Sequence, residues 1–109
     1  MRLKRTPEYI EWYKSQRPKE MAQIAKRLAN IEEHGHFGTN KDLGDFLSEL
    51  KWANGRRVYY SLMEDENGDL TLLILGGNKN GQDSDIKKAR KRRLWTKLFH
   101  EQTLWPIFF

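Results

Sequence analysis

The chain of 109 residues contains no cysteine, only three prolines and no long apolar run. Without cysteine, neither a disulfide framework nor a thiolate metal site can form, which is compatible with a reducing compartment. The first residues, MRLKRTPEY, lack the apolar segment of a secretory signal, and no stretch approaches the roughly 20 apolar residues that a membrane helix needs. Because internal repeats are absent as well, we expect one cytoplasmic domain without a membrane anchor.

Histidine is also scarce, with three in the chain. His34 and His36 flank a glycine, and no further histidine is near them in the sequence. This spacing argues against a metal site, and we expect no bound metal or cofactor. A catalytic role for either imidazole is the less favoured interpretation.

Basic residues outnumber acidic ones. The 20 Lys and Arg residues and 15 Asp and Glu residues give a net charge of +5 and an isoelectric point near 9.6. This excess favours a polyanionic partner such as nucleic acid or a ribonucleoprotein. The alternative is that most of these basic side chains are solvated surface.

The first third of the chain has the pattern of two helices. Arg2–Arg5 is compatible with a short edge strand, and Thr6 and Pro7 have the features of an N-cap and the first helical residue. We expect this helix to end near Arg17, because the residue before a proline disfavours the helical region. Pro18 then begins a longer helix, which glycines end. Its apolar residues recur at spacings of three and four and form one stripe: Met21, Ile24, Ala25, Leu28 and Ile31.

Strand patterns follow the two helices. Phe46–Trp52 is the first strand, and the Asn-Gly pair at positions 54–55 is a strong hairpin signal. Arg56–Met63 and Leu70–Leu75 are the next two strands, and a last helix is expected from about Asp83. The predicted fold is therefore α+β, with an N-terminal helical hairpin packed on a small antiparallel meander sheet and a C-terminal helix.

Alternation along the predicted strands separates two sets of side chains. Val58 and Tyr60 lie on the face predicted to meet the helices. The opposite face then carries four polar side chains from two adjacent strands: Glu49, Lys51, Arg57 and Tyr59. We expect this second face to be exposed, either as plain solvated surface or as a concave site.

Three ordered blocks carry a resemblance to a known family. GRRVYY at 55–60 has the form Gly-x-Arg-Val-Tyr-Tyr, and NKDLGDFLSELK at 40–51 has the form Lys-x-Leu-x-x-x-x-x-Glu-Leu followed by a basic residue. LLILGGNKNGQDSDIKKA at 72–89 matches Leu-Leu-Gly-Gly-x-Lys-x-x-Gln-x-x-Asp-Ile-x-x-Ala, with matched residues Leu75, Gly76, Gly77, Lys79, Gln82, Asp85, Ile86 and Ala89. Together they resemble the RelE/ParE superfamily of bacterial toxins, and most nearly its phage-derived, HigB-like addiction module killer branch.

This resemblance implies a bacterial or prophage-encoded toxin of a type II toxin-antitoxin system, held inactive by a cognate antitoxin that we expect to be a helix-turn-helix protein. RelE- and HigB-like toxins cleave messenger RNA on the ribosome, whereas ParE-like relatives inhibit DNA gyrase. We therefore expect a ribosome-dependent, metal-independent mRNA endonuclease. The alternatives are a gyrase inhibitor and an inactive RNA- or protein-binding module, because fold alone does not decide function.

Metal-independent RNA cleavage needs a base for the 2′-hydroxyl, an acid for the leaving 5′-oxygen and cations for the phosphorane. Arg57 stands where the resemblance places the strand arginine and is the first candidate for the phosphate clamp. Lys51 stands where the family usually has arginine, and Lys79 is a second phosphate contact or proton donor. Glu49 is either a base or, as we favour, the partner of Arg57, while Tyr59 could stack on an RNA base or relay a proton. RelE also uses a tyrosine in its last helix, which DIKKARKRR lacks here, so the general base stays open.

Further cations are predicted to contact the RNA backbone or an acidic segment of the antitoxin. Arg56 points away from the candidate face by alternation, and the segment KKARKRR occupies positions 87–93. The predicted RNA-binding residues are Lys41, Arg56, Lys87, Lys88, Arg90, Lys91, Arg92 and Arg93. Residues 1–93 form the predicted toxin domain, and the aromatic-rich extension 94–109 is expected to pack on this domain or on a partner. The sequence does not indicate an oligomeric state.

Overall fold

The described part of this computed structural model is residues 1–99, with side chains through residue 95, and it begins with a strand rather than a helix. The strands are β1 (Arg2–Arg5), β2 (Asn40–Asp42), β3 (Ser48–Lys51), β4 (Arg56–Asp65) and β5 (Gly68–Asn78). The α-helices are α1 (Pro7–Lys14), α2 (Pro18–His34) and α3 (Gln82–Phe99), and a 3₁₀ turn at Lys79–Gly81 joins β5 to α3.

The five strands form one mixed sheet in the order β1-β5-β4-β3-β2. β1 pairs in parallel with β5, with Arg2 opposite Leu70, and the remaining neighbours are antiparallel. The predicted order, with a helical hairpin first and a purely antiparallel three-stranded meander after it, is therefore wrong. The interpretation of Arg2–Arg5 as a short edge strand is confirmed. Its parallel pairing depends on a partner far along the chain, which local sequence patterns do not indicate.

The two N-terminal helices begin where the sequence predicts. The Thr6 hydroxyl oxygen accepts a hydrogen bond from the Tyr9 N–H at 3.1 Å, and Pro7 is the first helical residue. α1 ends at Lys14, earlier than the predicted end near Arg17, and α2 begins at Pro18. Gly35 ends α2 with φ of 68°, in the left-handed region that glycine adopts without strain.

Helices cover both faces of the sheet, although the face opposite α1 and α2 was expected to be exposed. α1 and α2 pack on one face, over a core that includes Tyr9, Ile24 and Leu28. α3 folds back over the opposite face and packs there with Ala89. β5 is an inner strand covered on both faces: Leu73 faces α1 and α2, whereas Leu72 and Ile74 face α3.

A β-bulge changes the alternation along β5. Tyr59 pairs with Leu75 and Tyr60 pairs with Leu73, so Ile74 is the extra residue. Leu75 packs with Ile74 in the core beneath α3, although adjacent strand residues ordinarily point to opposite faces.

Within residues 1–99, no helix is both long enough and apolar enough to cross a membrane.

Candidate active site

The pairing of β3 with β4 brings four predicted site residues onto one face of the sheet. Lys51 is opposite Arg57, and Glu49 is opposite Tyr59. Lys41 of β2 is in turn opposite Glu49, on the far side of β3. Because directly opposite residues project to the same face, the alternation predicted for these strands is confirmed.

The centre of this group is a buried contact between a carboxylate and a guanidinium. Glu49 is fully buried, and its two carboxylate oxygens accept hydrogen bonds of 3.1 and 3.0 Å from the side-chain amide of Gln82, the first residue of α3. Arg57 Nε lies 3.9 Å from Glu49 Oε2, and the Arg57 side chain is 11% exposed. The Glu49 carboxylate thus fixes both Arg57 and the beginning of α3, which agrees with the favoured pairing role.

The Arg57 guanidinium keeps unused hydrogen-bond donors. Nη1 donates to the carbonyl of Arg56 at 3.2 Å, while Nε has no hydrogen-bond partner among the described residues. This Nε is buried and faces the Glu49 carboxylate, so the donor left for an anion is Nη2, which forms no hydrogen bond within residues 1–95.

Tyr59 does not fit the expected exposed position. The side chain is fully buried, and its hydroxyl group has no hydrogen-bond partner within residues 1–95. Burial raises the pKa of the Tyr59 phenol, and the nearby charges of Glu49 and Asp85 raise it further. The prediction that this face is open to solvent is wrong at Tyr59 and Glu49, because α3 lies over them. Tyr59 therefore has no exposed ring on which a base could stack.

Two glycines on β5 create space for different neighbours. A Cβ atom at Gly76 would lie 2.0 Å from Trp12 Cδ2, on the side of α1. A Cβ atom at Gly77 would lie 2.1 Å from Asp85 Oδ2, on the side of α3. Gly77 is the direct partner of Arg57 in the pairing of β4 with β5. The Asp85 carboxylate therefore lies over the residue next to Arg57, the candidate phosphate clamp.

The hairpin turn and the Gly-Gly corner meet at the same end of the sheet. The Lys79 N–H donates to the Gly55 carbonyl at 2.8 Å. The aliphatic carbons of Lys79 lie next to Gly55, and a Cβ atom added at Gly55 would be in van der Waals contact with them at 3.5 Å. Lys79 is exposed and pairs its backbone with the turn that precedes Arg57. The structure thus brings Lys79 to the end of the sheet that carries Lys51 and Arg57.

The other predicted RNA-binding residues divide into held and exposed side chains. Arg56 lies on the side of α1, as alternation predicts, where Nε donates to the Gln16 side-chain oxygen at 3.3 Å. Arg90 donates to the Leu43 carbonyl at 2.7 Å, and Arg93, which is 8% exposed, donates to the Ser61 hydroxyl at 3.2 Å. Arg92 pairs with Glu8. The exposed members of the set are Lys41, Lys87, Lys88 and Lys91.

The aromatic-rich extension 94–109 was expected to pack on this domain or on a partner. Most of it, residues 100–109, lies outside the described residues, so this stays a prediction. Its first two residues, Leu94 and Trp95, continue α3 and are exposed. Within residues 1–95, no group of three or more histidine, aspartate or glutamate side chains is placed to hold a metal ion.

Sequence reasoning assigned no role to two residues that the structure places at this site. Gln82 binds Glu49, and Asp85 lies over Gly77. Both occur in the block at 72–89, at the Gln and Asp positions that follow the Gly-Gly corner. Their positions in this block were visible in the sequence. Their contacts with β3 and β5 became visible only in the folded structure, where α3 packs on those strands.

Comparison with known proteins agrees with this fold. No protein-family model matches the sequence. An uncharacterized protein from Haemophilus influenzae is 33% identical over 93 residues, which cover 83% of this chain and 90% of that protein. Among solved structures, a mutant of the E. coli toxin RelE in the free state matches with a TM-score of 0.65 and 19% identity, over 84% of this chain and 95% of that one.

Two further structures show the same likeness. The intact E. coli RelBE toxin-antitoxin complex matches with a TM-score of 0.58 and 18% identity, over 71% of this chain and 94% of that one. A YoeB/ParE toxin from Agrobacterium tumefaciens matches with a TM-score of 0.57 and 15% identity, over 72% and 98%. The chain belongs to the same family as the Haemophilus protein and has the fold of the RelE/ParE toxin superfamily.

Proposed function

We propose that this protein is a HigB-like toxin of a type II toxin-antitoxin system and that it cleaves messenger RNA on the ribosome. The observation that supports this most directly is the state of Arg57. Its guanidinium lies beside the buried Glu49 carboxylate, stands opposite Lys51 and has an Nη2 group that forms no hydrogen bond within residues 1–95. A positioned cation with unused donors is what stabilisation of a phosphorane requires.

In the proposed reaction the 2′-oxygen of the RNA attacks its neighbouring phosphorus. Arg57 binds the phosphate oxygens, and Lys51 supplies a second positive charge from the opposite strand. Lys79, at the same end of the sheet, protonates the leaving 5′-oxygen. Glu49 holds Arg57 in position and does not take part in proton transfer, because it is fully buried and already bonded to Gln82.

The exposed lysines of α3 supply attraction to ribosomal RNA. Lys87, Lys88 and Lys91 carry no hydrogen bond in the described part of the chain, unlike the arginines of the same segment. Replacing all three by glutamine should lower the salt dependence of binding to single-stranded RNA by about 2 units, since each phosphate contact contributes about 0.7. An unchanged slope in filter-binding titrations from low to high salt would contradict this role.

The proposed partner is a cognate antitoxin. RelE, whose fold this chain shares, has been solved in an intact toxin-antitoxin complex. We propose that an antitoxin of this protein covers the face of Lys51 and Arg57 or displaces α3, and that acidic segments of it meet the α3 lysines. Hydrogen exchange of the purified pair should then show protection on β3, β4 or α3; a complex that protects none of these elements would contradict the proposal.

The test of the proposed function is transcript mapping after induction. Wild-type protein should produce new 5′ ends within translated messages and none when translation is blocked. Arg57→Ala should abolish both cleavage and growth arrest, while Arg17→Ala, an exposed arginine beside Pro18 on the helical side, should retain both. Circular dichroism and thermal unfolding of both variants establish that they are folded.

A different outcome would select a different function. Intact messages together with DNA double-strand breaks and a damage response would identify a gyrase inhibitor. Full toxicity of a folded Arg57→Ala variant would remove the central residue of the proposed reaction.

A further inference from the structure

The proposed cleavage lacks a group that removes the 2′-hydroxyl proton, and the obvious candidates do not fit. The Glu49 carboxylate is fully buried and accepts two hydrogen bonds from Gln82. Tyr59 is equally buried, and the raised pKa of its phenol keeps the hydroxyl protonated at neutral pH. A general base must be reachable by the substrate and must be deprotonated at the working pH.

Asp85 meets these requirements. It lies in the first turn of α3 and is partly exposed, and no hydrogen bond holds its carboxylate in the part of the chain that the structure describes. Its Oδ2 atom lies 2.1 Å from the Cβ position of Gly77 and 3.3 Å from that of Gly81, so the carboxylate rests against bare backbone at two glycines. Only glycine at position 77 leaves room for an oxygen at this distance.

The Asp85 carboxylate also lies close to Arg57, the candidate phosphate clamp. Gly77 is the direct partner of Arg57 in the pairing of β4 with β5, and both therefore belong to the sheet face beneath α3. The Asp85 carboxylate therefore lies over the same face as the candidate phosphate clamp, above the strand next to it. A proton acceptor and a phosphate-binding cation in this arrangement can serve two neighbouring groups of one nucleotide.

We infer that Asp85 is the general base of the proposed cleavage, a role that rests on the proposed function. The Asp85 carboxylate takes the proton of the 2′-hydroxyl as the 2′-oxygen forms its bond to phosphorus. The bond from phosphorus to the 5′-oxygen breaks, and the 5′-oxygen takes a proton from the Lys79 ammonium. The products are a 2′,3′-cyclic phosphate and a 5′-hydroxyl end, and solvent returns Asp85 and Lys79 to their starting protonation states.

The surroundings of Asp85 tune this carboxylate. Burial raises its pKa above the ordinary value of 3.8, and the positive charge of Lys88 opposes the rise. Lys88 of α3 and Tyr59 of β4 interact with it electrostatically, and Glu49 and Lys51 of β3 and Arg57 of β4 belong to the sheet face over which it lies. A base with a raised pKa is a stronger proton acceptor, and it remains ionised as long as the pH exceeds that pKa.

The experiment compares Asp85→Asn with Asp83→Asn in single-turnover cleavage of messenger RNA on purified ribosomes. Asp83 is an exposed carboxylate in the same helical turn, so its replacement controls for loss of negative charge. Asp85→Asn should lower the cleavage rate by about 10²–10⁴-fold, the usual contribution of a general base, with ribosome binding unchanged. Asp83→Asn should cleave at close to the wild-type rate.

Two further measurements separate a base from a merely structural residue. In the wild-type protein the rate should rise with pH as Asp85 loses its proton, and this limb should be missing from the residual activity of Asp85→Asn. Gly77→Ala should also lower the rate, because the new Cβ displaces the carboxylate, and Asp85→Glu should recover part of the activity of Asp85→Asn.

Failure of this inference is distinguishable from failure of the proposed function. If wild-type protein does not cleave RNA at all, the proposed function is wrong and the role of Asp85 falls with it. If wild-type protein cleaves and Arg57→Ala does not, but Asp85→Asn retains the full rate or keeps the wild-type pH profile, only the assignment of Asp85 is overturned.

Discussion

The contact between Gly76 and Trp12 predicts a large loss of stability from one added methyl group. The Cβ of Gly76→Ala would lie 2.0 Å from Trp12 Cδ2 and 2.2 Å from both Cε2 and Cε3. These are atoms of the ring interior, so no rotation of a flexible side-chain end removes the overlap. The Trp12 ring is itself packed against Tyr9, with ring centroids 5.7 Å apart, and it cannot withdraw without disturbing the core beneath α1.

Two opposing effects set the size of this change. Replacing glycine by alanine ordinarily stabilises by about 0.4–1 kcal/mol, because the unfolded chain loses freedom. Overpacking a filled site costs about 1–3 kcal/mol, occasionally more. The overlap here is with three ring atoms, so the second effect dominates. We expect the melting temperature to fall by about 5–15 °C, at roughly 4–8 °C per kcal/mol for a domain near this size.

Calorimetry and urea titration would measure this loss, and a double-mutant cycle would establish its cause. Trp12→Leu removes the obstructing ring, so adding Gly76→Ala to it should cost far less than in the wild-type background, with a coupling energy of about 1–3 kcal/mol. The control is Gly77→Ala, whose Cβ meets only the rotatable Asp85 carboxylate and should leave the melting temperature nearly unchanged. Equal effects of Gly76→Ala in both backgrounds would refute the steric explanation.

Two further predictions concern groups that hold the edges of the sheet. Hydrogen bonds from Arg2 and Lys4 hold the pKa of Asp65 well below its usual value of 3.8, so the ionised carboxylate stabilises the fold fully above that value, and this stabilisation is lost gradually as the pH falls below it toward the lowered pKa. Asp65→Asn should therefore melt a few degrees lower than wild type at pH 7, and the difference should shrink as the pH falls from about 4 to 2; a difference that is equal at all these pH values would contradict the pairing. Arg27 donates to the Phe37 carbonyl in the segment that leads from α2 to β2 and to the Lys51 carbonyl of β3, and it lies 4.4 Å above the Trp52 ring. Arg27→Lys should therefore cost roughly 2 kcal/mol in urea unfolding and speed hydrogen exchange in β2.

Local sequence signals predicted the elements whose causes are local. Thr6 and Pro7 begin α1, Pro18 begins α2 and Gly35 ends it, because caps and proline geometry act within one turn. The placement of Lys51 and Arg57 on one face of adjacent strands also followed from the hairpin signal and simple alternation. These features needed no knowledge of the tertiary structure.

The misjudged features depend on tertiary packing. The sequence of α3 is dominated by charged side chains and has the appearance of a solvated helix, so its position over the polar face of the sheet was not foreseen. α3 packs on this face partly through an arginine. Arg93 is buried, lies 5.1 Å above the Phe46 ring and donates a hydrogen bond to the Ser61 hydroxyl. The burial of Glu49 and Tyr59 follows from this cover and has no local signature.

The parallel pairing of β1 has a consequence for when the protein becomes folded during synthesis. The first strand to leave the ribosome finds its partner only when the segment around Leu70–Leu73 has also been made, since Arg2 pairs with Leu70 and Arg5 with Leu73. Translation proceeds at about 5–20 residues per second, so the amino terminus waits several seconds in an unpaired state. The sheet, and with it any activity that the sheet supports, can therefore be complete only after residues 70–73 have been synthesised.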